Sequence, residues 1–166
     1  MTKEFTITDD LLASQGQRFL NYIIDFIVQM SIAVIFLIII GIVLSLLGIE
    51  GIEERLDNTN RFEDFLLGII ITFLYYLPFE SLNSRTIGKL ITGTIVVMED
   101  GTKPNSTEIL KRTMWRIIPF NALTFLGSPS RGWHDSKSDT YVVVKKDFDA
   151  KLELHNSFES IGKETI

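Results

Sequence analysis

Arg18, Asn21, Asp25 and Gln29 recur at helical spacing within "RFLNYIIDFIVQM", a stretch that is otherwise apolar. A helix advances about 100° per residue, so with Arg18 at zero, Ser14 falls at about −40°, Asn21 at about −60°, Asp25 at about −20° and Gln29 at about +20°. The polar groups therefore share one narrow stripe. Two chemistries suit it. Arg18 and Asp25 are two turns apart and could pair, while Asn21 and Gln29 could hydrogen-bond across helices and set their register. Alternatively, an acid within a membrane helix marks an ion or proton path. The stripe alone leaves both readings open. A second polar face lies further along, where Thr72, Tyr76, Glu80 and Asn83 fall within about 80° of one another. Facing lipid, either set would be left unsatisfied, so the two faces should meet. A third group, "WHD", sets His134 beside Asp135, which is expected to cap a helix or pair with Arg18, Lys89 or Arg112. The candidate polar cluster is therefore Arg18, Asn21, Asp25, Gln29, Glu80 and Asp135.

Other chemistries find little support. The chain has no cysteine, which excludes disulfides, thiolate catalysis and cysteine-ligated metals. "RTIGKLITG" contains Gly-Lys but lacks the Walker spacing, and reads as a chain reversal at the membrane surface. Nucleophilic catalysis needs a nucleophile beside a positioned base, and no such pair is specified. No enzymatic activity, cofactor or metal is expected. A net charge of −5 without a continuous basic block gives no reason to expect nucleic acid.

The elements that would position the polar groups follow from the distribution of apolar residues. The chain has 166 residues, and between Asp25 and Glu50 it carries no charge. A bilayer core about 30 Å thick needs roughly 20 apolar residues in a helix, and this run is long enough. Its leader holds Glu4, Asp9 and Asp10 instead of a basic region, so the run reads as a retained helix and not a signal peptide. The first span is expected over about 18–48, preceded by a polar arm, 1–17, in which "SQGQ" signals a loop or helix start. Such a helix would be about 46 Å long, so its polar N-terminal end should emerge at a boundary. A polar loop, 49–63, leads to a second span over about 65–83. Asp64 and Glu80 are only about 23 Å apart along a helix, which puts Glu80 near a boundary too. Tyr75 and Tyr76 fit an interfacial aromatic belt, and Pro78 a kink. "GIVLSLLG" places Gly41, Ser45 and Gly48 near small-residue packing spacing, or reflects ordinary membrane composition.

Beyond the spans, 107–127 reads as an interfacial or re-entrant segment. Its amphipathic helix carries Leu110, Met114, Ile117 and Ile118 on one face and Glu108, Arg112 and Arg116 on the other. A third span over about 113–130 is the runner-up. β-Branched runs at 94–97 and 140–146 are expected to pair in a small cytoplasmic sheet. The tail, 147–166, reads as polar and mobile. The loop at 49–63 holds only Arg55 and Arg61, whereas basic residues accumulate after residue 81, so both termini should be cytoplasmic. The fold class is an all-α membrane protein: two transmembrane helices, an interfacial amphipathic helix and a small cytoplasmic β element, with 18–146 as the membrane domain.

The ordered motifs resemble those of the RDD family of small bacterial integral membrane proteins. "RFLNYIID" matches its first-helix arginine and aspartate. "SRTIGKLITGTIVV" matches the glycine-lysine segment after its second helix. "DGTKPNST", "LKRTMWRIIP" and "WHDSKSDTYVV" follow in the family's order, so that the resemblance covers about 13–146. Asp139 departs from the pattern, where a small residue is usual, and so does "NSR" at 83–85, where glycine is common. The resemblance implies that Arg18, Asp25 and Asp135 are the family's namesake residues, that the chain resides in the bacterial inner membrane, and that its role is transport-related, with cation/proton exchange as one form. Two spans are few for a transport path, which would make a transporter a homo-oligomer. The alternative is a non-transporting adaptor or scaffold whose cytoplasmic elements bind a partner protein. The lipid bilayer is the partner common to both.

Overall fold

A computed structural model describes residues 5–49, 51, 58–118, 120–127 and 130–164. Helix α1, Gln15–Leu46, starts three residues before the expected Arg18 because Ser14 and Gln17 form a reciprocal capping box. Helix α2, Arg61–Asn83, starts four residues before the expected Phe65 for the same reason, with Asn60 and Glu63 as the capping pair. Pro78 lies within α2 without ending it. Both helices are long and apolar enough to cross a membrane. In their most apolar windows only 6% and 17% of residues are buried, so neither is covered within the described chain. Residues 50 and 52–57 of the expected loop between them lie outside the described residues.

The remaining elements gather at the N-terminal end of α1 and the C-terminal end of α2. Ser84 closes α2 in the left-handed region, at φ 53°. Glycine adopts that conformation at less cost than serine. Helix α3, Ile87–Thr92, is the expected reversal, capped by Thr86 and ended by Gly93 at φ 72°. Strand β1, Thr94–Met98, follows directly. Helix α4, Ser106–Arg116, is capped by Asn105, and a 3-10 segment, Asn121–Leu126, comes after it. The short helix α5, Trp133–Ser136, leads through Asp139 (φ 51°) into strand β2, Thr140–Val144. The strands pair antiparallel, Thr94 opposite Val144 and Met98 opposite Thr140. The two expected strand segments therefore do pair.

Alternation along these strands sorts two environments. Ile95, Val97, Tyr141 and Val143 face an apolar cluster with Leu11 and Phe148, packed by Phe5, Ile7 and Leu152. On the other face, Thr94 and Thr140 point polar groups at the helix bundle, one on each side of the Val96–Val142 pair. The N-terminal arm is docked: Ala13 N–H donates to Val142 O at 2.9 Å and Ile7 N–H to Glu99 O at 2.9 Å.

Three expectations change. Residues 147–166 were expected as a polar, mobile tail; residues 147–164 of it form part of helix α6, Lys145–Glu164, and 165–166 lie outside the described residues. Phe148 and Leu152, one turn apart, supply the apolar contact that fixes its start. The runner-up third span does not form, since α4 ends at Arg116 and short 3-10 geometry replaces it; residues 119, 128 and 129 of that segment lie outside the described residues. Finally, α4 is turned inside out relative to a water-facing charged helix. Arg112 is fully buried, while Leu110, Met114 and Ile118 are exposed.

Phe148→Ala should detach α6. Large-to-small changes of this kind cost about 3 kcal/mol. Limited proteolysis of the detergent-solubilised protein should cut within 145–164 faster than in wild type, and unchanged protection would refute the docking role.

Candidate functional site

The residues of α1 that are buried are Arg18, Asn21, Asp25 and Gln29, the polar stripe itself. Its apolar side chains, such as Phe19, Phe26 and Ile27, are turned outward. The helix is polar inside and apolar outside, as expected of a helix that meets lipid with its apolar face and a polar interior with the other.

Glu80 of α2 is completely buried and holds three cations. Lys89 Nζ donates to Oε1 at 2.9 Å, Arg112 Nε to Oε2 at 3.2 Å, and Arg116 Nη2 to Oε1 at 2.8 Å with Nη1 to Oε2 at 3.1 Å. The Arg116 guanidinium also lies 3.8 Å from the centre of the Tyr76 ring. Asp135, also fully buried, accepts from Arg18 and from Arg112, and its Oδ2 accepts from Gly132 N at 2.8 Å. Arg112 thus joins the two carboxylates and donates further to Thr140 Oγ1 at 2.6 Å. One continuous ion network links α1, α2, α3, α4 and α5.

Asp25 is held differently. Tyr75 Oη and Thr86 Oγ1 each donate to it at 2.7 Å and Gly88 N at 2.8 Å. Among the described residues no cation is within salt-bridge distance of it. The close approach of α3 to α1 requires glycine at 88: a Cβ there would lie 2.6 Å from Asn21 O and 2.8 Å from Asp25 Oδ1. Asn21 Nδ2 donates to Thr94 Oγ1 at 3.0 Å, its Oδ1 accepts from Thr92, and Gln29 donates to the Asp25 carbonyl at 3.1 Å.

All six expected residues are therefore in one buried region, but they do not all touch. Arg18 meets Asp135 and not Asp25, and Glu80 reaches Asp135 only through Arg112. Tyr75 and Tyr76 do not form an interfacial belt; both are buried, because their hydroxyl and ring are used by Asp25 and Arg116. Asn83 is exposed and stays outside the cluster. Sequence reasoning missed Thr86, Gly88, Tyr75 and Arg116 as partners. The signal for the first two was the "TIGK" run, in which a cap residue, a glycine and a lysine are all consumed by buried carboxylates.

Burial opposes ionisation of Asp135, but Arg112 and Arg18 outweigh it and hold its carboxyl well below the usual range. Burial lowers the Lys89 ammonium, with Glu80 opposing. For Arg116 burial is overcome by Glu80, and the value is raised. Burial also pushes His134 well below its ordinary 6.5, despite Asp135 nearby. Its Nδ1 sits 3.0 Å from Asn121 Nδ2, so the neutral ring can accept there.

These groups surround a cavity of about 230 Å³ between the two long helices and the elements at their ends. Arg18, Lys89, Arg112 and Arg116 line it, Asp25 is the carboxylate in its wall, and half-exposed Tyr22 and Phe26 form part of its rim.

A mostly helical chain with two helices of membrane-crossing length, joined to a small sheet through a buried ion network, is the class of protein these features define. Residues 12–142 match the RDD family, and the chain belongs to it. No curated protein and no solved structure shows significant similarity to the chain.

Two outcomes follow. Gly88→Ala should destabilise the protein by about 2 kcal/mol, the usual range for overpacking, seen as a lower melting temperature in detergent. His134 is neutral when folded, but the unfolded chain takes up a proton near pH 6.5, so stability should fall as pH drops below that value. Asp135 contributes stability that is complete above its unfolded value near 3.8 and is lost only in stronger acid, so it does not add to that slope. In His134→Gln the loss of melting temperature between about pH 7.5 and 5.5 should shrink; an unchanged loss would refute the assignment.

Proposed function

We propose that this chain is an integral protein of the bacterial inner membrane, crossed by α1 and α2 with both termini cytoplasmic, and that its cavity is a solute site in a transport-related role. The cavity is the observation that supports this reading. Interiors are normally close-packed, and a cluster whose task was only to hold helices together would be expected to close. Here three buried cations, Arg18, Lys89 and Arg112, and the partly buried Arg116 border open volume. The distribution of Lys and Arg supports the orientation. Cation/proton exchange, the form implied by the family resemblance, would depend on Asp25, the carboxylate in the cavity wall. Two spans favour a homo-oligomer, and Gly41 and Ser45 lie on an exposed part of α1 where a second copy would pack.

The second reading is a non-transporting adaptor. It is favoured by Leu154 and Phe158, which are one turn apart on α6 and exposed by 56% and 67%. They offer an apolar strip to a protein partner.

Reconstitution in liposomes with an imposed pH gradient separates the two. On the exchange reading, sodium or potassium should dissipate the gradient through wild type and not through Asp25→Asn. If neither protein dissipates it, cation/proton exchange fails; if Asp25→Asn abolishes folded protein, Asp25 is structural. Cysteine at Asn58 should label from outside intact cells and cysteine at Ser157 should not. External labelling at Ser157 would sink the two-span topology.

A further inference from the structure

We propose that the cavity between α1, α2 and α4 binds a phosphate-type oxyanion, either free phosphate or the headgroup of a phospholipid. The proposal rests on the reading of the cavity as a ligand site and names the class of ligand.

The charge of the wall is the first argument. Arg18, Lys89, Arg112 and Arg116 line the cavity, with Asp25 as the carboxylate among the lining residues. Glu80 and Asp135 do not line it; they contact the cations from behind. Asp25 has its own charge dispersed over three neutral donors. Glu80 and Asp135 balance part of that charge from outside the lining, but the lining itself carries four positive groups against one carboxylate, which favours an anion and counts against the cation form of exchange.

Unused donors are the second argument. Arg18 Nε and Arg112 Nη2 are buried and have no hydrogen-bond partner. Arg18 is 5% exposed and Arg112 fully buried, so neither donor can turn to bulk water. Buried guanidinium donors are seldom left unmade. Arg18 and Arg112 each keep one unused guanidinium nitrogen on a side chain that lines the cavity, and such charged donors pair strongly with phosphate oxygens. A cavity of about 230 Å³ has room for such a group, since a water takes roughly 30 Å³ of liquid.

Access is the third. Tyr22 and Phe26, on the rim, are 39% and 48% exposed on the outward face of α1. If α1 crosses the bilayer, that rim opens at the level of lipid headgroups.

The test uses the full chain in phosphatidylcholine nanodiscs, titrated with inorganic phosphate at constant ionic strength against chloride. In parallel, protein extracted from membranes containing phosphatidic acid and phosphatidylglycerol is examined by native mass spectrometry. A saturable rise in melting temperature with phosphate assigns a free solute; retention of one anionic phospholipid per chain assigns a headgroup. Thr72→Phe fills the cavity from α2 without removing a charge. It should abolish binding and leave the ligand-free melting temperature unchanged. Arg18→Lys keeps the charge but loses the fork, and should weaken binding about ten-fold, the factor expected for one charge-assisted hydrogen bond. The proposal is overturned if folded wild type responds to neither ligand, or if Thr72→Phe binds as well as wild type. Binding without any flux in liposomes would leave the oxyanion site standing while removing the transport role.

Discussion

Glu80 has no access to water and three cations within hydrogen-bond distance, and the placement of the surrounding elements follows from that. A buried carboxylate is tolerated only when paired and hydrogen-bonded. The pairing groups come from α3 (Lys89) and α4 (Arg112, Arg116), so both helices must stand against the end of α2. Arg112 then needs a second anion, and Asp135 supplies it from α5. Asp135 in turn reaches Arg18 on α1. Removing a single member would strand its partners in the interior, which costs several times what an intact pair contributes. The network therefore specifies one arrangement of helices that share little apolar contact.

The sheet supplies the other half of the scaffold. Its two faces carry opposite tasks: Val97 and Val143 anchor the arm and α6 through an ordinary apolar core, while Thr94 and Thr140 hydrogen-bond to Asn21 and Arg112. The same chain thus has a water-type core on one side of two strands and an inverted, polar core on the other. The inversion extends to α4, whose Arg112 and Arg116 are turned in and whose Leu110 and Met114 are turned out. Within such a low-dielectric interior the hydrogen bonds around Asp25 and Glu80 are stronger than at a surface, and an unmade one costs more.

How much of this was legible in the sequence depended on whether period or partner carried the information. The stripe of Arg18, Asn21, Asp25 and Gln29 is a matter of period, and it was readable without any other element; so were the two strands and the pairing of Asp135 with a basic residue. Tyr75 and Tyr76 have the same residue type whether they sit in an aromatic belt or beneath a buried carboxylate, and only their neighbours decide. Arg112 and Arg116 were placed on a polar face correctly, but that the face turns inward follows only from the two buried acids that use those charges. Helix α6 was missed because its polar composition outweighed Phe148 and Leu152, which supply its apolar contact with the sheet and arm. Gly88 gives no period at all; its role appears only when Asn21 comes within contact of it.

The three buried carboxylates are not equivalent, and the difference constrains any ion chemistry here. Protonating Glu80 would strand Lys89, Arg112 and Arg116, and protonating Asp135 would strand Arg18 and Arg112. Both acids are thereby committed to holding the fold. Asp25 is bound by two hydroxyls and one backbone amide, so a change in its charge would leave no cation unpaired among the described residues. It is also the one of the three that borders the cavity. The two candidate chemistries of the stripe, structural pairing and charge handling, therefore fall on different residues: Arg18 belongs to the first through Asp135, and Asp25 is the acid of the stripe that no ion pair commits to the fold among the described residues.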